Sequence, residues 1–306
     1  MKALITGSNG FVGGYLSLEL TEHGYKVIGA DIAGDGVEHV DFLDLQAVSR
    51  LLTCHEPDVV FHLAGQASVG LSWQIPRKTI DINVGGTINL LDAARQCKIK
   101  PKLLIVGSSD QYGVVKSADC PIRETLPQNP NSPYAISKTM QELTAQALSK
   151  AYGLDIIFTR SFNHIGPGQK KGFVISDFSS AIAEIEAGKK DPVLHVGNLD
   201  AQRDFTDVRD IVRAYRLLAE KGIPGEVYNI GSGVPYRIEE ILKKLLSLSN
   251  AKITVEKDPE KMRVSDNPLI SCCYEKLQEA TGWKPVCSLD ETLGDTLNSF
   301  RTDKTK

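Results

Sequence analysis

Tyr134 and Lys138 are the pair in this 306-residue chain most suited by type and spacing to do chemistry. Pro133 can open a helix there, and a separation of four puts both side chains on one helical face, so that phenol and ammonium can act together. A lysine cation beside a phenol favours the phenolate and lowers its pKa toward working pH, which suits an acid or base acting at a carbonyl or carbinol. The competing reading is an exposed pair on a solvated helix, and the pattern is too common to decide the matter by itself. A second group lies in Gly107-Ser108-Ser109-Asp110-Gln111-Tyr112-Gly113, just after the apolar run Leu103-Leu104-Ile105-Val106. There Ser108 can hydrogen-bond a substrate oxygen, while Asp110 is either a second acid or base or a solvated, capping carboxylate.

What tips both readings toward chemistry is the start of the chain. Lys2-Ala3-Leu4-Ile5-Thr6 reads as a short buried strand that breaks into Gly7-Ser8-Asn9-Gly10-Phe11-Val12-Gly13. Gly7 can supply the positive φ of a tight turn, Gly10 lets the backbone approach a pyrophosphate, and Gly13 lets the next helix pack closely on the strand. Free amides opening that helix would face an anion. The second strand, Lys26-Val27-Ile28-Gly29-Ala30, stops at Asp31, whose carboxylate can accept hydrogen bonds from an adenosine ribose. Alone, Asp31 would read as a solvated strand-end acid. After the glycines it predicts a dinucleotide site that favours NAD(H), with NADP(H) as the alternative, because the carboxylate repels a 2′-phosphate and no arginine follows it nearby.

Downstream, His39-Val40-Asp41-Phe42 and Asp58-Val59-Val60-Phe61-His62-Leu63 read as further strands, the latter ended by Ala64-Gly65. Long amphipathic segments from Pro76 to Gln96 and from Pro133 to Tyr152 alternate with apolar strands at Leu103–Val106 and Asp155–Phe158. That alternation predicts an α/β chain with a doubly wound parallel (Rossmann) sheet. Beyond Phe162 the rhythm breaks at the loop-like Asn163-His164-Ile165-Gly166-Pro167-Gly168-Gln169, which predicts a smaller C-terminal substrate-binding lobe. The expected division is 1–163 for dinucleotide binding, with 205–231 returning to that sheet, and 164–204 with 232–306 for the lobe. Arg203–Val208 and Val227–Ile230 are the strands expected to return.

Composition excludes several other classes. The chain is 42% hydrophobic and 24% charged with a net charge of −3, ordinary for a globular enzyme and without a basic footprint for nucleic acid. No apolar stretch reaches membrane-spanning length and the glycines interrupt any signal-like start, so a cytoplasmic protein is expected. Six cysteines show no Cys-x-x-Cys pair and are expected to be reduced packing residues, with no metal site. Lys170, Lys171, Arg203 and Arg263 are cations that can meet a substrate diphosphate or simply sit on the surface.

Gly7-x-x-Gly10-x-x-Gly13 with Tyr134-x-x-x-Lys138 resembles the short-chain dehydrogenase/reductase superfamily. His62-Leu63-Ala64-Gly65, Ser108 to Gly113 and Gly282-Trp283-Lys284-Pro285 resemble its extended, sugar-nucleotide branch. Arg160 to Gly168, Gly197 to Phe205 and Arg263-Val264-Ser265-Asp266 are similar to the GDP-mannose subgroup. The resemblance implies Tyr134 as proton donor, Lys138 as its partner and Ser108 on the reacting oxygen. It implies a cofactor site made of Gly7, Asn9, Gly10, Phe11, Val12 and Gly13, with Asp31, Asp41, Phe42, Leu63, Ala64 and Gly65 completing it and Asp41 near the adenine. Arg203 and Arg263 would hold the diphosphate, Asp266 would accept from the nucleotide ribose, and Asn163 would contact the substrate. The subgroup contains 4,6-dehydratases and 4-ketoreductases. Dehydratases typically carry a glutamate where Asp110 stands and are longer chains, so the expectation is reduction of the C4 ketone of GDP-4-dehydro-6-deoxy-D-mannose. A 4,6-dehydratase, then a 4-epimerase, are the alternatives, and a non-catalytic cofactor-sensing protein is the reading from a different class. The resemblance also implies a homodimer paired through Pro76–Gln96 and Pro133–Tyr152.

Overall fold

The computed structural model describes residues 1–259 and 267–302. Its first half alternates strands β1 (Lys2–Thr6), β2 (Lys26–Asp31), β3 (Glu38–His39), β4 (Val59–His62), β5 (Lys102–Ser108) and β6 (Ile156–Ser161) with helices. These helices are α1 (Phe11–Glu22), α2 (Leu45–His55), α3 (Val69–Gln74), α4 (Pro76–Ile80), α5 (Gly86–Ala94) and α6 (Pro133–Tyr152). A widened turn over Asp81–Gly85 joins α4 to α5, so the expected Pro76–Gln96 segment forms one nearly continuous helix. The second half runs β7 (Asn163–Ile165), α7 (Val174–Glu186), β8 (Val193–Val196), β9 (Gln202–Asp207), α8 (Val208–Lys221) and β10 (Val227–Ile230). It closes with β11 (Pro235–Arg237), α9 (Ile238–Ser247), β12 (Thr254–Lys257), β13 (Leu269–Ile270), α10 (Glu275–Thr281) and α11 (Leu289–Thr302).

The large sheet has the order β10-β6-β5-β4-β1-β2-β3 with every pairing parallel. It is doubly wound, and the chain reverses direction between β1 and β4, where such sheets hold ligands beyond their carboxyl ends. The continuous apolar runs arise because both faces are covered. Successive residues Ala3, Leu4 and Ile5 point alternately to a layer built on α1 and α8 and to one built on α2, α5 and α6. A separate apolar cluster gathers α7, α9 and α11 around β8 and Phe205.

Two strands differ from expectation. The run His39–Phe42 is strand only at Glu38–His39, after which Val40 and Phe42 turn inward and pack on Val48 and Leu51. Arg203–Val208 does not join the large sheet: β9 pairs with β7, β11 and β13, while Val227–Ile230 does take the edge beside β6. A strand inside the large sheet must be apolar on both faces, and Gln202-Arg203-Asp204 is not. The buried Asp204 carboxylate instead accepts from Ser232 N and Oγ, Gly233 N and Cys272 N, distances of 2.6–2.9 Å that only the smaller sheet provides. The return to the large sheet therefore begins with helix α8. All six cysteines are free, and among the described residues no helix is long and apolar enough to cross a membrane.

Candidate active site

The glycine turn after β1 is closely fitted. Gly7 has φ +73°, and a Cβ there would stand 2.9 Å from the Ala64 nitrogen. At Gly13 an added Cβ would meet the Gly7 carbonyl oxygen at 2.4 Å, so side chains at either position would push α1 off the sheet. Gly10 is the N-cap of α1, with no side-chain cap and no acid in the first turn, so the amides of that turn remain available to an anionic ligand. Asp31 accepts from the Asn9 amide at 3.0 Å and from the Ile32 amide at 2.7 Å, which holds its carboxylate at the rim of the turn. A cradle that excludes side chains, presents unpaired amides and ends in a carboxylate fits the diphosphate and ribose of a dinucleotide.

This turn forms one wall of a cleft of 2280 Å³ that continues over the carboxyl ends of β4, β5 and β6 to the second half of the chain. Each described candidate lines it. Gly7, Asn9, Gly10, Phe11, Val12 and Gly13 form the turn, Asp31, Asp41 and Phe42 stand at one end, and Leu63, Ala64 and Gly65 follow β4. Ser108, Asp110, Tyr134 and Lys138, and from the second half of the chain Asn163 and Arg203, line it too. Arg263 and Asp266 lie outside the described residues.

Local sequence fixes the central group. Ser132 caps α6 by accepting from Ala135 N at 3.1 Å, Pro133 starts the helix, and the Tyr134 amide donates to Ser72 Oγ at 3.1 Å. The Tyr134 phenol lies beside the Ser108 side chain. Burial first, and then the Asp110 carboxylate, push the phenol well above its ordinary pKa, against the opposing pull of Ser108. This corrects the expectation that Lys138 lowers it. The Lys138 ammonium is turned instead toward the Val106 carbonyl at 2.9 Å and Gln141 Oε1 at 3.0 Å, and burial brings its own pKa down to about 8. Neither group's shift is set by the other. A phenol that stays protonated is the state a proton donor needs.

Beneath Ser108 lies a scaffold that sequence reasoning did not single out. The Ser108 amide donates to Gln111 Oε1 at 2.8 Å, and Gln111 Nε2 donates to Glu142 at 2.8 Å. Glu142 in turn is ion-paired with buried Arg160 at 2.7 Å. Gly107 is required at this crossing, since a Cβ would stand 2.4 Å from both Gln111 Oε1 and the Thr159 oxygen. Glu142 could have been noticed as the next residue on the helical face of Tyr134 and Lys138. Gln111 and Gln141 are neutral amides with no spacing signal. Across the cleft, the His164 ring stacks on Phe11 at 6.2 Å and Tyr15 donates to the Pro167 oxygen at 2.9 Å, tying the loop after β7 to α1. Arg203 donates to the carbonyls of Gln202 and Asn267 at 2.9 and 2.6 Å, and Lys171 is paired with Glu184 at 2.7 Å.

Known proteins are similar to this chain from end to end. The chain is 33% identical to a GDP-6-deoxy-D-mannose reductase of Pseudomonas aeruginosa over 98% of its length and 97% of that protein. A GDP-mannose 4,6-dehydratase of Yersinia enterocolitica is 30% identical over 83% of this chain and 73% of that one. Among solved structures, the RMD protein of P. aeruginosa complexed with NADPH superposes with a TM-score of 0.90 at 33% identity, covering 98% of this chain and 99% of that one. A UDP-glucose 4-epimerase of Brucella ovis in complex with NAD gives 0.89 at 27% identity, covering 98% of both. A family model described as GDP-mannose 4,6 dehydratase matches residues 4–296, and with the glycine turn in place and Ser108, Tyr134 and Lys138 on one cleft, the chain belongs to that family of nicotinamide-dependent sugar-nucleotide enzymes.

Proposed function

We propose that the protein reduces the C4 ketone of GDP-4-dehydro-6-deoxy-D-mannose to GDP-6-deoxy-D-mannose, using NADH or NADPH. A bound dinucleotide supplies the hydride. Tyr134 delivers its proton to the developing alkoxide, and Ser108, beside the phenol, hydrogen-bonds the same oxygen. Lys138 binds the ribose side of the cofactor and places a positive charge beneath the site. The carrying observation is the Tyr134 hydroxyl, held protonated beside Ser108 inside the cleft. The near end-to-end match with the Pseudomonas reductase supports the substrate.

The cluster on α7, α9 and α11 is read as the sugar-nucleotide lobe, with Asn163 and Arg203 facing the substrate and Arg263 and Asp266 joining them. Asp31 favours NADH, since its carboxylate stands on the cleft wall among Ile32, Ala33 and Asp41, with no cation in that stretch to neutralise a 2′-phosphate. Ile136, Met140 and Leu143 on one face of α6 are exposed apolar side chains, which supports pairing of two copies through α6 and the Pro76–Gln96 helix. Light scattering at micromolar concentration should then give twice the 33.4 kDa chain mass.

A specific residue favours a second reading. Asp110 sits beside the phenol, where a carboxylate could assist removal of water, as a 4,6-dehydratase requires. Incubation with GDP-mannose, or with its 4-keto product, in the presence and absence of NADH separates the two. Net NADH oxidation with the ketone marks a reductase; conversion of GDP-mannose without net consumption marks a dehydratase.

A further inference from the structure

Lys138 is buried, yet its two protein partners are both neutral. One of them, Gln141, stands three residues along α6 and is the first member of a closed chain of hydrogen bonds leading away from the cleft. Its Nε2 donates to Thr87 Oγ1 at 2.8 Å, and Thr87 donates its own proton to the Asn83 carbonyl at 2.8 Å. Thr87 Oγ1 can therefore only accept from the ring of His62, 2.9 Å away, which places the imidazole proton on Nε2. His62 Nδ1 then accepts from Thr6 Oγ1 at 2.8 Å, and Thr6 Oγ1 accepts from the Ala64 amide at 3.0 Å. Burial holds His62 neutral, its pKa down at about 3, in agreement with that proton count. The direction is set at Thr87, whose proton goes to the Asn83 carbonyl, so that Gln141 can only donate to it. Gln141 has no freedom to flip, because a flipped amide would turn NH₂ toward an ammonium.

We propose that Gln141 is a positioning residue for Lys138: the Thr6–His62–Thr87 chain locks its carboxamide so that Oε1 draws the ammonium to a fixed place at the cleft wall. The proposal rests on the reading of Lys138 as a cofactor- and phenol-facing group. With two ammonium protons committed to Val106 O and Gln141 Oε1, the third points to the cleft, where the Nζ lies near Gly65: a Cβ on that glycine would stand 3.8 Å from it. An apolar side chain at 141 would leave the ammonium one acceptor short and free to swing. A carboxylate would hold it but add a counter-ion. The titratable groups placed around Lys138 are neutral His62 of β4, Tyr134 one turn earlier on α6, and Asp110 on the loop after β5.

Two measurements test this. In the cofactor-free protein, the ¹³Cε resonance of Lys138 is followed through a pH titration. Gln141→Glu should raise its midpoint by at least about one unit, as a contacting counter-ion does, and Gln141→Leu should lower it. If neither variant moves the midpoint, Gln141 does not govern the lysine. NADH affinity is then measured in a double-mutant cycle with Lys138→Met. Gln141→Leu should weaken binding about tenfold when Lys138 is present, the scale of a lost hydrogen bond to a charged group, and have no effect in Lys138→Met. Gln141→Glu, which keeps the acceptor, should recover most of that loss. Equal weakening in both backgrounds would overturn the proposal by showing that Gln141 acts through packing alone. Should Gln141→Leu fail to fold, Gln141→Met keeps the length without the acceptor and takes its place. If the unmodified protein binds no dinucleotide, the reading of the site fails, while the lysine titration still decides the role of Gln141.

Discussion

Lys138 on helix α6 and Arg160 on β6 are both buried cations, and their surroundings differ in one respect: among the described residues only Arg160 is ion-paired. Its guanidinium meets Glu142 through two bonds of 3.0 and 2.7 Å and also donates to Tyr112 and to the Glu124 carbonyl. Those contacts raise its pKa further despite the burial. Lys138 has a carbonyl and a carboxamide, and burial lowers its pKa. A buried cation with a full set of partners belongs to the scaffold, and here it supports Gln111 and so the strand end carrying Ser108. A buried cation without a counter-ion costs stability and is retained because a ligand or a reacting group completes its environment.

The largest effect should appear at the group that the uncompensated cation serves. Tyr134→Phe keeps the ring and removes the proton, so turnover should fall by roughly 10²–10⁴-fold while melting temperature and NADH affinity barely change. Near-normal ketone reduction with an unchanged pH profile would show that another group supplies the proton.

Next comes the compensated pair. Glu142→Gln preserves shape but leaves Arg160 buried without its counter-ion, and should destabilise the fold by about 3–5 kcal/mol in denaturant melts. A loss of only about 0.5 kcal/mol, the scale of a surface change, would erase the contrast between the two cations.

Lys138→Met should act in the opposite sense on stability. The folded-state pKa of about 8 lies below the ordinary 10.5, so the unfolded chain holds more protons between these values, and the native protein gains stability as pH rises through that window. At pH 7 the charged lysine is a burden in full, and its removal should stabilise the cofactor-free protein by about 1–3 kcal/mol while impairing catalysis. A melting temperature that falls at pH 7, or that gains nothing from raising the pH of the unmodified protein toward 10, would contradict this.

The smallest effect is expected at the rim. Asp31 is partly exposed and bonded only to backbone amides, so Asp31→Ala should narrow the difference between NADH and NADPH affinity by about 1 kcal/mol. Tighter binding of NADPH than NADH by the unmodified protein would remove the basis for any preference set by that carboxylate.

The contrast between the two cations also marks what the sequence could reveal. Gly7, Gly10 and Gly13, and Tyr134 with Lys138, were legible because each set acts within one turn, where spacing alone fixes relative position. The Arg160–Glu142 pair joins a strand to a helix, and the chain from Gln141 through Thr87 and His62 to Thr6 crosses three strand–helix units. Nothing in the local pattern announces a contact over such separations. The large sheet was readable from its unbroken apolar runs. That strand β9 joins the smaller sheet was not, because its burial comes from Asp204 satisfied by distant amides rather than from apolar residues on both faces. The sign of the Tyr134 shift was misjudged for a related reason: spacing reveals that Lys138 is near, but not that the carbonyl of Val106 and Gln141 turn its charge aside.

The bare start of α1 has a consequence for how long the protein persists. Gly10 offers that helix no side-chain cap and its first turn has no acid, so the free protein leaves a favourable interaction unmade. An anionic ligand that supplies it binds the native chain and not the unfolded one, so mass action makes folding depend on the ligand pool: saturation at a hundred times the dissociation constant adds about 2.7 kcal/mol. A melting curve of this protein thus reports cofactor concentration as much as sequence. When the dinucleotide is depleted, the enzyme not only slows for want of reductant but also populates its unfolded state more often, and becomes correspondingly more exposed to proteolysis.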